Sequence, residues 1–129
     1  MALSFKGSGK VCVSIQNDGD LLYTAGSLWT AAHHQIPLLV VMYNNRSYYN
    51  DEDHQERIAL WRDRPVGNKG IGIRIEDPEP DFASLARSLG VAGFGPVTNP
   101  NLVGEALDVA IAVVKSGKPA VIDVHTQAR

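Results

Sequence analysis

The sequence has a single cysteine, Cys12, in 129 residues, so no internal disulfide can form. No Cys/His spacing suits structural zinc either. Cys12 lies in the apolar run Val11-Cys12-Val13 and is expected to be a buried, inert thiol. Nowhere do roughly 18 apolar residues run together, which a membrane-spanning helix requires. The N-terminus carries Lys6 and Lys10 but no apolar stretch of signal-peptide length. These absences predict a cytoplasmic protein with no membrane partner. The twelve Lys and Arg are scattered and the formal net charge is −2. A nucleic-acid partner calls for a basic stripe, which is missing. What remains, 44% hydrophobic and 20% charged residues, is the composition of an ordinary globular chain. Its length suits one domain covering residues 1–129.

Periodicity divides that domain into alternating strands and helices. Val11–Ile15 is β-branched and apolar, bounded by Gly7-Ser8-Gly9 and Asn17-Asp18-Gly19-Asp20, and reads as a short buried strand. Leu21, Leu22, Ala25, Leu28, Trp29 and Ala32 then recur at helical spacing, which predicts one helix from Leu21 to Gln35 with Asp20 as its N-cap. Leu38–Met42 is a continuous apolar run, as expected of a strand buried on both faces of a parallel sheet. Acidic Asp51, Glu52 and Asp53 lead a helix over 51–63. Residues 65–80 form a long loop, with a short strand expected at Ile71–Ile75. Asp81 caps a helix through Leu89, Val91–Val97 is a strand, Asn99-Pro100 opens a helix over 101–115, Gly117 stops it, and Ala120–Val124 is the last strand. The class is α/β, a mostly parallel sheet with helices on both faces.

Ligands of such folds sit beyond the carboxyl ends of the strands. Two of those ends carry polar clusters, Asn17-Asp18-Gly19-Asp20 and Asn44-Asn45-Arg46-Ser47. Mg²⁺ takes oxygen ligands, often one or two from protein and the rest from phosphate and water. Asp18 offers a carboxylate and Asn45 an amide oxygen, and adjacent strand ends can aim both at one ion. Gly19 allows close backbone approach to a diphosphate. Taken singly, each cluster is also a common turn dipeptide.

Jointly, the clusters resemble the thiamine-diphosphate enzymes, which carry Gly-Asp-Gly and, some two dozen residues on, Asn-Asn. Here Asp18-Gly19 is followed by residues 20 to 43 and then Asn44-Asn45. The likeness continues through Thr24-Ala25, Leu28–Ala31, Ile36-Pro37-Leu38, Tyr48-Tyr49-Asn50, the helix at Asp81–Leu89, Gly90-Val91 and Lys118–Val124. It is most similar to the acetolactate-synthase-like group, lyases and transferases acting on 2-oxo acids. The resemblance implies the thiamine-diphosphate-binding fold, truncated at its N-terminus, with the cofactors thiamine diphosphate and Mg²⁺. Asp18, Asn45 and the Ser47 carbonyl would be metal ligands, and Gly19 and Asp20 would give backbone N–H groups to the diphosphate. It implies no catalytic residue in this chain: the glutamate that activates the aminopyrimidine belongs to a pyrimidine-binding domain or subunit, so the working form would be a homo- or hetero-oligomer. Glu52, Glu56, Glu76, Glu79 and Glu105 stand in no matching motif.

Two departures from the family pattern matter. Asn17 replaces the first glycine, and acidic Asp20 replaces a small residue. Two other functions stay open: a non-catalytic truncated fragment serving as an assembly module, and a flavodoxin-like mononucleotide binder. Lys6–Lys10 is not a P-loop, since no Ser or Thr follows Lys10 and the segment precedes a strand. Asn17–Asp20 lacks the distal Glu of an EF-hand. His33 and His34 belong to an exposed helix end, and Tyr48 and His54 to the loop after the metal motif.

Overall fold

The structure, a computed structural model, describes residues 1–127. Among them, four strands form one parallel sheet in the order β1-β2-β4-β3: β1 Cys12–Asn17, β2 Leu38–Asn44, β3 Ala92–Val97 and β4 Ala120–His125. The helices are α1 Asp18–Thr24, α2 Gly26–His33, α3 Tyr49–Trp61, α4 Phe82–Ser88 and α5 Val103–Lys115. A 3₁₀ turn at Ala2–Phe5 precedes β1, and another at Pro100–Leu102 leads into α5. No helix among the described residues is long and apolar enough to cross a membrane.

The strand order explains the two covered faces. From β1 to β2 and on to β3 the chain steps across the sheet in one direction, then from β3 to β4 it steps back. Right-handed crossovers therefore put α1, α2 and α4 on one face and α5 on the other. On the first face Leu21, Leu28, Val40, Met42, Phe82, Ala86 and Val121 pack together. On the second, Leu39, Ala120 and Ile122 pack against Ala110 and Val114 of α5. Alternate residues of β2 enter each cluster, which is why its sequence is apolar without a gap.

Several expectations need correction. The strand at 11–15 is not buried: Val13 and Ile15 are 55% and 74% exposed. β1 is the sheet edge, and α5 packs over β2, β3 and β4, so the α5-side face of β1 is left bare. Cys12, on the other face of β1 opposite Leu38, is also half-exposed and not buried. The helix expected over Leu21–Gln35 starts three residues earlier and is interrupted at Ala25, where Leu28 N–H bonds Ala25 O over a tighter turn. Gly26, a poor helix former, stands at that break. Its N-cap is Asn17, whose Oδ1 accepts the Asp20 N–H at 2.9 Å, and not Asp20. Asn and Asp cap equally well, so composition alone did not choose between them. The strand expected at Ile71–Ile75 reduces to one antiparallel bridge, Ser47 with Arg74.

β3 is pressed closely against α4. A Cβ on Gly93 would run into the Ala83 carbonyl oxygen, while Arg87 of α4 donates to the Gly93 carbonyl at 2.9 Å. Gly93→Ala should therefore destabilise the chain by about 1–3 kcal/mol through overpacking. Gly26 has open space around it, so Gly26→Ala should stabilise by up to about 1 kcal/mol through helix propensity. Urea unfolding followed by circular dichroism checks both; a Gly93→Ala midpoint at or above wild type would contradict the close approach.

Candidate functional site

The β1–β2 pairing carries the two polar clusters to one place. Asn17 lies opposite Tyr43, so Asp18 and Asn44-Asn45 leave neighbouring strands at the same level. The β2–β4 register adds Asn44 opposite His125, and Thr126 N–H bonds the Asn44 carbonyl at 2.8 Å. A cavity of about 690 Å³ opens there, bordered by Asn17, Gly19, Asp20, Asn45, Ser47, Tyr48 and Thr126. That volume falls within the range of small-molecule sites, about 300–1,000 Å³.

Asp18 is fully buried. Its Oδ1 accepts the Gly19 N–H at 3.0 Å. Its Oδ2 has no hydrogen-bond partner among the described residues. Desolvation raises its pKa above the ordinary carboxylate value, against the backbone N–H groups of Gly19, Arg46 and Ser47 that point toward it. The Asn44–Ser47 turn is thus in touch with Asp18. Within it, Asn44 Oδ1 accepts the Arg46 N–H and Asn45 Oδ1 accepts the Ser47 N–H, each at 3.1 Å. An amide oxygen has two lone pairs, so Asn45 Oδ1 keeps one for another partner. Arg46 takes a positive φ of 59°, which curls the turn back toward β1.

The two backbone donors expected for an anion are engaged within the chain. Gly19 N–H bonds Asp18, and Asp20 N–H bonds Asn17. A bound diphosphate would have to share or replace those bonds. Asp20's own side chain is exposed. Tyr48 lies over Gly19: its hydroxyl donates to the Gly19 carbonyl at 3.3 Å, and a Cβ on Gly19 would fall inside its ring. The Tyr23 ring stands 5.7 Å from that of Tyr48. Burial, with Tyr23 adding to it, raises the Tyr48 phenol.

The chain of residues 1–124 matches the family model "Thiamine pyrophosphate enzyme, C-terminal TPP binding domain". The protein belongs to that family. Membership removes the ground for the flavodoxin-like alternative. An acetolactate synthase large subunit of Parasynechococcus marenigrum is 30% identical over 115 residues, covering 89% of this chain and 17% of that one. Another, from Pyropia yezoensis, is 28% identical over 101 residues, covering 78% and 16%. The chain therefore spans a fifth or less of the length of these relatives. Among solved structures, the thiamine diphosphate-dependent 4-hydroxybenzoylformate decarboxylase of Rhodococcus jostii RHA1 superposes with a TM-score of 0.67 at 22% identity, covering 95% of this chain and 21% of that one. The benzoylformate decarboxylase of Polynucleobacter necessarius gives 0.66 at 18% identity, covering 97% and 22%. These likenesses establish the fold shared with this TPP-binding domain.

Two buried acids near the site are given no place in it by the sequence pattern. Glu52, on α3, is treated below. Asp123 of β4 is 1% exposed, with Oδ1 unpartnered among the described residues. Burial raises its pKa, while the Asn44 side chain bonds it and opposes the shift. An Asp in Ala120-Val121-Ile122-Asp123-Val124 looks like a strand end reaching solvent, and only the β4 position between β2 and β3 buries it. His33 and His34 do sit at the exposed end of α2, His33 stacked on Trp29 at 4.9 Å.

Asp18 and Asp123 both have folded-state pKa values above the ordinary 3.8. Their protonated forms favour the fold, so this stability is present below the unfolded value and is lost as pH rises through the folded ones. The metal-free chain should therefore melt higher near pH 5 than at pH 7.5. Asp18→Asn should flatten part of that slope, and Asp18→Asn with Asp123→Asn most of it. Scanning fluorimetry across pH 4.5–8 in chelator reads this directly; an unchanged slope in the double variant would show that other groups set it.

Proposed function

We propose that this domain holds the Mg²⁺–diphosphate end of thiamine diphosphate through Asp18, Asn45 and the Ser47 carbonyl. The observation that carries the reading is the unpartnered Oδ2 of a fully buried Asp18, in contact with the turn that presents Asn45 and Ser47. A buried carboxylate is stable in its ionised form only against positive charge. Among the described residues no three His, Cys, Asp or Glu cluster as a metal site. The available donors are one carboxylate, one amide oxygen and one peptide carbonyl, an all-oxygen set that suits a hard cation completing its shell with phosphate and water. Family membership independently supports thiamine diphosphate. The bridge to Arg74 leaves the Ser47 carbonyl out: it uses the flanking groups, Tyr48 N–H to Ile73 O and Ile75 N–H to Arg46 O.

In the assembled enzyme the cofactor supplies the electron sink for making or breaking the bond beside a 2-oxo group. This chain's residues anchor and orient it. Asn17 holds the Asp20 end of the turn, Tyr48 walls the Gly19 side, and Asn44 joins the turn to Asp123. The relatives' names point to acetolactate-synthase-like or decarboxylase chemistry on 2-oxo acids. The partner is a pyrimidine-binding domain or subunit that brings the activating glutamate, in a homo- or hetero-oligomer. The competing role, a non-catalytic assembly module, predicts no cofactor affinity.

Calorimetric titration of thiamine diphosphate into the chain, with Mg²⁺ and with excess chelator, separates the two roles. Binding should require the metal and disappear in Asp18→Ala. Asn45→Ala should weaken it by at least about tenfold, the loss of one ligand bond, with little change in folding. Asn44→Ala should instead destabilise the fold by about 1–3 kcal/mol, because it strips partners from the part-buried Arg46 N–H and from the buried Asp123. Equal affinity in chelator would refute the site, and the reverse pattern for the two asparagines would mean the ligand is Asn44.

A further inference from the structure

α3 is held by an acid where a helix is ordinarily held by apolar side chains. Of its described residues only Glu52 is buried, at 3% exposed, while Leu60 and Trp61 at its far end are 64% and 80% exposed. The Glu52 carboxylate meets the segment that follows β2 and the long loop at the same time. Its Oε2 accepts the Ser47 hydroxyl at 3.4 Å. Its Oε1 faces Arg74 Nη2 at 3.6 Å and Lys69 Nζ at 3.9 Å. Lys69 is shared with Glu56, 2.6 Å away.

Ser47 and Arg74 are the two residues of the antiparallel bridge between that segment and the loop. Glu52 therefore ties the side chains of two residues whose backbones are already paired, Tyr48 N–H to Ile73 O at 3.0 Å and Ile75 N–H to Arg46 O at 2.8 Å. Ser47 is fixed by its hydroxyl and by both neighbouring peptide groups, and its carbonyl direction follows. We propose that Glu52 is a positioning residue: it aims the Ser47 carbonyl at the ion and couples the loop of residues 65–80 to occupation of the site. This rests on the Mg²⁺–diphosphate reading above.

The physical reason is the strictness of Mg²⁺. It demands near-ideal octahedral geometry at short distance, whereas Ca²⁺ accepts variable ligand number and angle. A carbonyl held in one direction favours the first ion over the second. Charge alone predicts a different pattern for a Glu52 variant: removing an anion near the site acts on any divalent ion alike, so its effect would be the same with Mg²⁺ and Ca²⁺. The two causes thus differ in their dependence on the metal.

The test titrates thiamine diphosphate into the 129-residue chain in excess Mg²⁺ and, separately, in excess Ca²⁺. Glu52→Gln should weaken the Mg²⁺-supported binding by about 10- to 100-fold, the usual cost of losing a group that orients a metal ligand. The Ca²⁺-supported binding should hold. Ser47→Ala keeps the main-chain carbonyl and should shift the Mg²⁺ affinity in the same direction by less, and the double variant should lose no more than Glu52→Gln alone. Glu52→Asp, one methylene short, should not restore it. In wild type, Mg²⁺ and cofactor together should slow tryptic cleavage at Arg62 and Lys69, and in Glu52→Gln they should not. Equal losses with both metals, or tighter binding in Glu52→Gln, would overturn the proposal while leaving the ion site standing. A wild-type chain indifferent to both metals would overturn the ion site and this role together. Should Glu52→Gln fail to fold, the metal preference of Ser47→Ala decides: a preference equal to that of wild type overturns the proposal.

Discussion

A carboxylate with no exposed surface and, among the described residues, one oxygen without a partner sets the terms for this domain. Asp18 cannot retreat to solvent, and the peptide N–H groups turned toward it do not offset its desolvation. Everything that touches it is arranged around that charge. β1 and β2 run parallel in a register that ends both strands together, the turn after β2 curls back through the positive φ of Arg46, and Asn17 caps the helix that begins at Asp18 itself. A shift of one residue in the β1–β2 register would turn the clusters onto opposite faces of the sheet. The register runs unbroken through six pairs, from Cys12 opposite Leu38 to Asn17 opposite Tyr43. Leu21 of α1, packed with Val40 and Met42, holds the helix that begins at Asp18 against β2.

The pairing of Asp18 with Asn45 could be read from the chain because both residues mark strand ends, and strands rich in Val, Ile and Leu declare themselves. The alternation of elements was legible for the same reason, as was the division of helices between two faces. Boundaries and exposure were harder. Asn17 and Asp20 are equivalent caps by type, and only the backbone decided that the helix begins at Asp18. Val13 and Ile15 have the side chains of buried strand residues, and their exposure depends on how far α5 reaches across the sheet. Glu52 could not have been found by spacing. Its partners Lys69 and Arg74 come from a segment without periodicity, and an acid in the first turn of a helix is ordinary in itself.

The two sides of the cavity are built by different means. The β1–α1 side is packed: Leu21 and Leu28 bury against Val40 and Met42, and the Asp18 loop inherits their rigidity. The α3 side is ionic: a buried acid of α3 meets two cations of the loop, and one backbone bridge joins the loop to the segment before α3. Ionic contacts between partly exposed groups contribute little to global stability. They do, however, fix direction. A site with one rigid wall and one wall held by charges has a natural division of labour, with the packed side defining position and the charged side able to respond to what is bound.

The contact of Tyr48 with Gly19 has an evolutionary consequence. The ring fills the space where any side chain at residue 19 would begin, and its hydroxyl grips the carbonyl of the same residue. Residue 19 cannot grow while the ring at 48 stands. A larger residue at 19 is admissible only in a lineage that has first lost the ring at 48, and such a lineage would meanwhile have given up the wall beside the Asp18-Gly19 turn. Positions 19 and 48, separated by a helix and a strand in the chain, are therefore linked in inheritance, and the glycine of the Asp-Gly pair is kept in place by steric exclusion.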